Sequence, residues 1–252
     1  MSIETFNTIV LIWIGIALFL FPVLLKIPAP YGRHTRYNWG PMISNRLGWF
    51  LMELPSLLVF GWLTLSKRPS VPDLITFFAF LWIFHYTYRA IIFPFLINTR
   101  GKKMPVVIML FAVFFNLING GLNGYWFGIL SPAYPTDWVT DFRFIGGVIL
   151  FVTGFAIHRH HDRILINLRK NSPGSYQIPT GGLFRFISCP NFLGEMIEWG
   201  GFALMTWCLP STSFFIWTVV NLLPRSLDHH RWYRSSFADY PAKRKALVPF
   251  IL

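Results

Sequence analysis

The chain has 252 residues, of which 54% are hydrophobic and only 13% are charged, and it contains 27 phenylalanines and 11 tryptophans. A water-soluble domain carries about twice that share of charged residues, so the composition excludes this class and indicates a membrane protein. The net charge of +12 is concentrated between apolar stretches, which argues against a nucleic-acid partner and favours cytoplasmic loops or an anionic ligand.

Seven apolar stretches follow one another along the chain, and each can be read as a membrane helix. They cover residues 6–26, 48–66, 74–97, 104–130, 143–158, 194–209 and 211–224. No linker, repeat or low-complexity segment separates them. The sequence therefore predicts one all-α domain over residues 1–252, a polytopic membrane protein with seven transmembrane helices.

The lysines and arginines predict the orientation of these helices. Of the 22 basic residues, 18 follow the first, third or fifth stretch or lie in the tail, whereas Lys67, Arg68 and Arg143 lie on the opposite side. Short cytoplasmic loops retain positive charge, so we expect the amino terminus outside and the carboxyl terminus in the cytoplasm. The first stretch lacks a basic leader and a cleavage site, and we expect it to be a structural helix.

Ionisable residues interrupt two of the stretches. Glu53 lies in "LMELPSLLVF", and "FHYTYRAIIF" in the third stretch carries Tyr86 and Arg89. Charged groups inside membrane helices are rare and usually functional. A purely structural salt bridge between Glu53 and Arg89 is the alternative.

The fifth and sixth stretches carry a second polar set. In "CPNFLGEMIEWGGF" the residues Asn191, Glu195 and Glu198 have the spacing of one helix face. They need hydrogen-bond donors, which basic loops, neighbouring structure or a ligand with amide and hydroxyl groups can supply. In "HRHHDRILINLRK" the histidine spacing does not converge on one ion, so no metal is predicted, and His158 with Asp162 forms a polar face instead. The basic, aromatic tail could equally be a surface helix bound to anionic lipid.

Several segments carry a family resemblance. "MELPSL", "HYTYR", "HDRILINLRK", "NFLGEMIEWGGFAL", "HHRWY" and "DYPAKRKALVPF" stand in the order and at nearly the spacing of the steroid 5α-reductases, types 1 and 2. The chain resembles that family from about residue 30 to its end. The resemblance implies a seven-helix membrane enzyme that uses NADPH to reduce the C4–C5 double bond of 3-oxo-Δ4 steroids.

The resemblance also implies roles for individual residues. Glu53 and Tyr86 would be catalytic, donating hydrogen bonds to the C3 carbonyl oxygen while a hydride adds at C5. Glu53 must then be protonated, a form that apolar surroundings favour. The substrate chamber, mainly from helices in residues 1–130, would include Trp49, Met52, Arg89 and Phe115.

The implied cofactor site lies mainly in residues 98–252. Its chemistry suits NADPH, because cations bind phosphates and amide or carboxylate groups bind the carboxamide and ribose hydroxyls. The implied residues are Asn98, Lys102, Asn116, His158, Asp162, Arg169, Tyr176, Asn191, Glu195, Arg225, His229 and Tyr233.

Three positions depart from the family pattern. Met52 replaces a glutamine, His158 stands where asparagine is usual, and Gln177 replaces a basic residue. We therefore expect a steroid or a related enone lipid as substrate. We expect a bacterial homologue, monomeric and in contact with membrane lipid, in the inner membrane, or in the endoplasmic reticulum membrane if the source is eukaryotic.

Two other classes stay open on sequence alone. A membrane methyltransferase of the isoprenylcysteine type would share the carboxyl-terminal half and use S-adenosylmethionine. A non-catalytic sterol-binding protein would keep the chamber without needing a cationic cofactor face.

Overall fold

The computed structural model describes residues 1–27, 35, 38–66, 73–99, 101–171 and 176–252. The described chain is mainly helical, which confirms the all-α class. Among the described residues, five helical segments are long and apolar enough to cross a membrane: Ile3–Lys26, Asn45–Leu65, Leu74–Leu96, Val106–Leu130 and Phe142–Lys170. The seven spans and the direction of the termini stay predictions. Some basic residues behind the predicted orientation lie outside the described residues, namely Arg33, Arg36, Lys67, Arg68 and Arg100.

The chain folds into two compact units. Helix α1 (Ile3–Lys26) gives its first turn to the first unit and the remainder to the second. The first unit comprises Met1–Asn7 and Ala29–Trp138, and the second comprises Thr8–Pro28 and Val139–Leu252. The predicted single domain stays a prediction.

The first unit is built on two helices that start side by side. Strand β1 pairs antiparallel with strand β2, and Met42 lies opposite Pro105. Each strand leads directly into a helix, so α2 and α5 begin at the same end of the unit. The two helices run in the same direction, because Gly120 lies against Ser56 and Gly124 lies against Phe60. The elements are β1 (Met42–Ser44), α2 (Asn45–Leu65), α3 (Leu74–Tyr86), a π turn (Thr87–Ile92), α4 (Phe93–Leu96), β2 (Lys103–Pro105), α5 (Val106–Tyr125) and a second π turn (Trp126–Leu130).

Glycines bring the backbones of α2 and α5 into contact. A Cβ atom at Gly120 would lie 3.1 Å from Cα of Ser56, and one at Gly124 would lie 3.0 Å from Cα of Phe60. The two contacts are four residues apart on each helix, so α2 and α5 touch along one row of residues. Helix α3 packs on α2 as well, because the Trp82 ring stacks on Phe60 at 4.4 Å and its Nε1 donates to the Ser56 carbonyl over 3.2 Å.

In the second unit, glycines likewise bring two helix backbones into contact, but these two helices run antiparallel. Its helices are α6 (Phe142–Asn171), α7 (Pro190–Thr206) and α8 (Leu209–Ser236). A Cβ at Gly147 would lie 2.6 Å from the Met205 backbone nitrogen, and one at Gly201 would lie 2.5 Å from the Phe151 nitrogen. Helices α6 and α7 are therefore in backbone contact. Helix α8 packs on α7 through Trp199 and Phe214, whose rings are 4.6 Å apart.

Two helices extend well beyond the predicted apolar stretches. Helix α6 continues past residue 158 to Asn171, and α8 continues past Pro224 to Ser236. Hydropathy marks where apolar side chains stop, whereas backbone hydrogen bonding continues through arginine, leucine and lysine, which are good helix formers. The polar side chains that follow these two apolar stretches therefore lie on helices. The ends of the membrane spans stay predictions.

The tail after α8 returns to the second unit. Ile187 and Lys245 form a parallel bridge, the Ser188 amide donates to the Lys245 carbonyl over 2.8 Å, and the Cys189 amide donates to the Ala246 carbonyl over 3.1 Å. The tail is therefore bound to the segment that leads into α7.

The α6–α7 contact gives a test at adjacent positions. Gly147→Ala puts a methyl group 2.6 Å from Met205 atoms, so the helices must separate, at a cost of about 1–3 kcal/mol. Gly146→Ala meets only a Leu204 methyl group at 3.7 Å and should be neutral or stabilising. Thermal unfolding of both variants in detergent should show a lower Tm for Gly147→Ala alone. Equal Tm values would contradict the close approach.

Candidate active site

Glu53 lies in the seam between α2 and α5, with 14% of its side chain exposed. Its Oε2 accepts from the Asn116 amide nitrogen over 3.4 Å, and the Arg89 Nε lies 3.8 Å from Oε1. The carboxyl group is thus flanked by a neutral donor and a cation. The structural alternative, an ion pair with Arg89, is therefore present, although its distance exceeds that of a hydrogen bond.

Arg89 is held by aromatic rings as well. Its guanidinium lies 4.7 Å from the centre of the Trp49 ring and 5.0 Å from that of Phe93. Such cation–π contacts share the positive charge with the rings. The Trp49 indole N–H is buried and has no acceptor among the described residues, so a ligand oxygen could satisfy it.

Tyr86 lies at the level of Glu53. Helices α2 and α3 run antiparallel, because Ser56 contacts Trp82 whereas Glu53, earlier in α2, approaches Arg89, later in the chain. Tyr86 lies between Trp82 and Arg89 and is only 4% exposed. The structure therefore carries the two predicted catalytic residues at one depth of the same unit.

The other predicted substrate residues contribute apolar surface to this unit. Met52 is 7% exposed and packs with Met104 and Met109. Phe115 is half-buried on α5 and its carbonyl accepts from Asn119 over 2.7 Å. Their contact with a substrate stays a prediction.

A dense polar cluster joins α6 to α7 in the second unit. His158 lies with Nε2 3.1 Å from Asp162 Oδ2 and 3.9 Å from Glu195 Oε2, and with Nδ1 3.4 Å from Glu198 Oε2. Asn191 donates to Asp162 Oδ1 over 3.0 Å. Asn191, Glu195 and Glu198 therefore share one face, as their spacing predicts. Three carboxyl groups in one place form an acceptor-rich surface that suits hydroxyl and amide donors.

The neighbouring side of α7, which carries Phe192, meets a cationic part of α8. The Arg225 guanidinium lies 5.3 Å from the centre of the Phe192 ring, and the His229 ring lies 5.5 Å from the same ring. Arg225 and His229 are four residues apart and so share a face of α8. His229 Nδ1 also lies 3.7 Å from the Cys189 sulfur.

The remaining predicted cofactor residues are spread over both units. In the first unit Asn98 and Lys102 are exposed, and Asn116 is the buried neighbour of Glu53. In the second unit Arg169 is exposed near the end of α6. The Tyr176 ring lies 5.0 Å from Trp232, and the Tyr233 ring stacks on Tyr240 at 5.4 Å. Their cofactor roles stay predictions.

His161 has a structural role that the sequence did not reveal. Its Nε2 accepts from the Leu183 amide over 2.9 Å, so its Nδ1 carries the proton and donates to the Ile157 carbonyl over 2.7 Å. The bond holds a turn in which Gly181 and Gly182 have φ angles of +88° and +48°. A side chain at Gly182 would put its Cβ 2.6 Å from His161 Nε2.

A second buried cluster, also missed by sequence reasoning, joins the tail to the start of α7. The Ser188 hydroxyl lies 2.7 Å from His230 Nδ1 and 2.6 Å from the Tyr240 hydroxyl, and it donates to the Lys245 carbonyl over 3.0 Å. Burial raises the pKa of Tyr240. Burial also lowers the pKa of His230, and the charges of Arg234, Arg244 and Lys245 lower it further. No spacing rule reveals partners this far apart in sequence.

The chain is similar to known proteins over most of its length. Residues 102–252 match the family model described as 3-oxo-5-alpha-steroid 4-dehydrogenase. A steroid 5-alpha-reductase of Gossypium hirsutum is 40% identical over 236 residues, 90% of each chain. The 3-oxo-5-alpha-steroid 4-dehydrogenase 2 of Rattus norvegicus is 42% identical over 227 residues, 89% of this chain and 88% of the relative. Its Homo sapiens counterpart is 41% identical over 243 residues, 94% and 93% of the two chains.

The lowered pKa of His230 predicts that the stability of the tail, residues 237–252, depends on pH. The folded protein binds this proton less readily than the unfolded chain, whose imidazole has a pKa of 6.5. The stability that neutral His230 contributes is therefore complete above pH 6.5 and declines as the pH falls below it. Amide hydrogen exchange over residues 237–252, corrected for intrinsic rates, should show weaker protection at about pH 5.5 than at about pH 8.

The matched variant for this test is His230→Asn, which keeps a hydrogen-bonding group beside Ser188 but does not titrate. The difference in protection between the two pH values should shrink in this variant. If the wild type and the variant lost protection equally, the titration of His230 would not be its cause.

Proposed function

Since the chain belongs to the steroid 5α-reductase (3-oxo-5α-steroid 4-dehydrogenase) family of enzymes, we propose that it reduces the C4–C5 double bond of 3-oxo-Δ4 steroids with NADPH. Family membership decides against the methyltransferase and binding-protein alternatives. We also propose that the enzyme works as a monomer in the lipid bilayer. Its substrate is a steroid or a related enone lipid.

The observation that carries the proposed mechanism is the register of α2 against α3, in which Glu53 and Tyr86 share one depth. Two hydroxyl donors at one level suit a single carbonyl oxygen, here the C3 oxygen of the steroid. Trp49, Met52 and Phe115 supply apolar surface for its rings. The proposal requires Glu53 to be a neutral acid, so apolar surroundings must favour that form more strongly than the Arg89 charge favours the carboxylate.

Hydrogen bonds to the C3 oxygen serve the reaction because negative charge collects there as C5 is reduced. When bound, NADPH would supply the hydride for C5 and become NADP⁺, and the resulting enolate takes a proton at C4 to complete the reduction. Glu53 and Tyr86 are already in place when the charge appears, so no reorganisation is needed at that moment. Such a donor typically lowers the barrier by about 3 kcal/mol.

The residues of the second unit fit a dinucleotide. The carboxyl groups of Asp162 and Glu195 suit ribose hydroxyls, and Asn191 suits a carboxamide. The cations Arg169 and Arg225 suit phosphate groups, and Phe192 beneath Arg225 offers an aromatic surface. We propose that these residues hold NADPH.

The first test concerns the two proposed donors. Glu53→Gln keeps a donor but loses the acid, so kcat should fall by about 10²–10³-fold, and Glu53→Ala should fall further. Tyr86→Phe keeps the ring and should lower kcat more than it raises KM. If both residues serve one oxygen, the losses in the double variant should not be additive.

The matched control is Glu4→Gln, the same substitution at an exposed position in the first turn of α1. Its kcat should equal that of the wild type. Wild-type activity in Glu53→Ala would remove Glu53 from the mechanism, and additive losses in the double variant would separate the two donors.

The second test concerns the cofactor. Arg225→Gln removes a cation while keeping much of the side chain, and Arg169→Gln does the same at the end of α6. Each should weaken NADPH binding by about tenfold to a hundredfold, because a charge-assisted hydrogen bond contributes ~1.5–3 kcal/mol. Arg234→Gln, an exposed arginine on the same helix as Arg225, is the control and should bind NADPH normally. A rise confined to the steroid KM would contradict the proposed contact of these arginines with NADPH.

A further inference from the structure

Asn116 is a buried polar residue for which the proposed mechanism has given no role. It lies on α5 with only 5% of its surface exposed. Its side-chain nitrogen Nδ2 donates to the Met52 carbonyl over 2.6 Å and to Glu53 Oε2 over 3.4 Å. One amide group therefore contacts both the backbone and the carboxyl group of the proposed acid.

The α2–α5 seam explains why the amide reaches this place. Asn116 stands four residues before Gly120 and eight before Gly124, so it continues the row along which α5 touches α2. Met52 stands four residues before Ser56 in the facing row. Since the backbones are already in contact one turn away, a short asparagine side chain spans the remaining gap.

Two other asparagines on α5 behave differently. The amide of Asn119 donates to the Phe115 carbonyl over 2.7 Å, and that of Asn123 donates to the Asn119 carbonyl over 3.0 Å. Both of these bonds stay within their own helix. The bond of the Asn116 amide to the Met52 carbonyl, by contrast, crosses to α2.

The two bonds of Asn116 have different consequences. A backbone carbonyl within a helix is a fixed acceptor, so the short bond to Met52 orients the plane of the amide. An amide nitrogen has two hydrogens in that plane, and the second is then directed at Glu53 Oε2. The carboxyl group is thereby held against rotation about its last bond.

We propose that Asn116 is a positioning residue for Glu53, fixing which oxygen of the acid faces the substrate. The inference rests on the proposed function, in which Glu53 is a hydrogen-bond donor. The carbonyl oxygen of a neutral acid accepts hydrogen bonds better than its hydroxyl oxygen. Asn116 donates to Oε2 over 3.4 Å, whereas the Arg89 Nε lies 3.8 Å from Oε1, beyond hydrogen-bond distance, so the proton is assigned to Oε1. Oε1–H is then the group that donates to the C3 oxygen. This role differs from the cofactor contact that the sequence predicted for Asn116.

The test replaces the amide with groups of the same branched shape. Asn116→Leu removes the donor, and Asn116→Asp keeps the shape but replaces the N–H group with oxygen. Both should lower kcat by about tenfold to a hundredfold, because the proposed acid is no longer oriented. KM for the steroid and Kd for NADPH should stay within about twofold, since the group acts mainly on the transition state.

Asn123→Leu is the matched control, because it removes a buried amide from the same helix whose bond to the Asn119 carbonyl stays within α5. It should lower the Tm, while kcat per mole of folded enzyme, counted by bound NADPH, stays at the wild-type value. An equal fall of kcat in Asn123→Leu and Asn116→Leu would overturn the positioning role. If Asn116→Leu does not fold, Asn116→Asp carries the same comparison.

The background Glu53→Ala separates this inference from the proposed function. With no carboxyl group to orient, Asn116→Leu should cause no further loss of kcat in that background. The same fold-loss in both backgrounds would overturn the positioning role but leave Glu53 as the acid. Wild-type kcat in Glu53→Ala would overturn the proposed acid itself. Weaker NADPH binding at unchanged kcat in Asn116→Leu would favour the cofactor contact instead.

Discussion

Direct contact between helix backbones is the constraint on which both polar clusters depend. Asparagine, aspartate and histidine have short side chains, and in apolar surroundings their polar atoms need partners on a neighbouring helix. Gly120 and Gly124 let α5 touch α2, and the Asn116 amide then reaches Met52. In the second unit, glycines of α6 and α7 bring His158 within reach of Glu198. Small residues at helix contacts are typical of membrane proteins for this reason.

The two units use this close contact for different chemistry. In the first, one carboxyl group lies beside the Asn116 amide and the Arg89 guanidinium, and aromatic and methionine side chains lie in the same unit. That arrangement suits an apolar ligand with one oxygen to recognise. In the second, carboxyl, amide and imidazole groups from α6 and α7 lie together, and cations of α8 lie against Phe192 on the neighbouring side of α7. That arrangement suits a ligand that is polar throughout and carries phosphate groups.

Much of this organisation could be predicted from the sequence. Each part that could not be predicted has a physical reason. The spacing of Asn191, Glu195 and Glu198 predicted one face, because helix periodicity is local. The ends of α6 and α8 do not follow from the apolar stretches, because hydropathy falls at the last apolar residues and the helix continues beyond them. His161 and Ser188 were not anticipated, because their partners depend on where distant turns fall. The glycine row of α5 was a readable signal, since small residues at a four-residue spacing predict a helix contact.

The π turn Thr87–Ile92 has an evolutionary consequence. A π turn accommodates one residue more than the α-helix does, so it is the mark of an insertion absorbed without breaking the helix. Each residue rotates a helix by about 100°, so a residue added to a plain α-helix would turn every later side chain away from its neighbour. The wider π turn takes up the extra residue, and the side chains after it keep their phase, so that Phe93 meets Trp49 with ring centres 5.4 Å apart. Deleting one residue within this turn would therefore convert it to α-helix and keep the later side chains in phase, whereas a deletion within α5 would rotate one side of the α2–α5 seam away from the other.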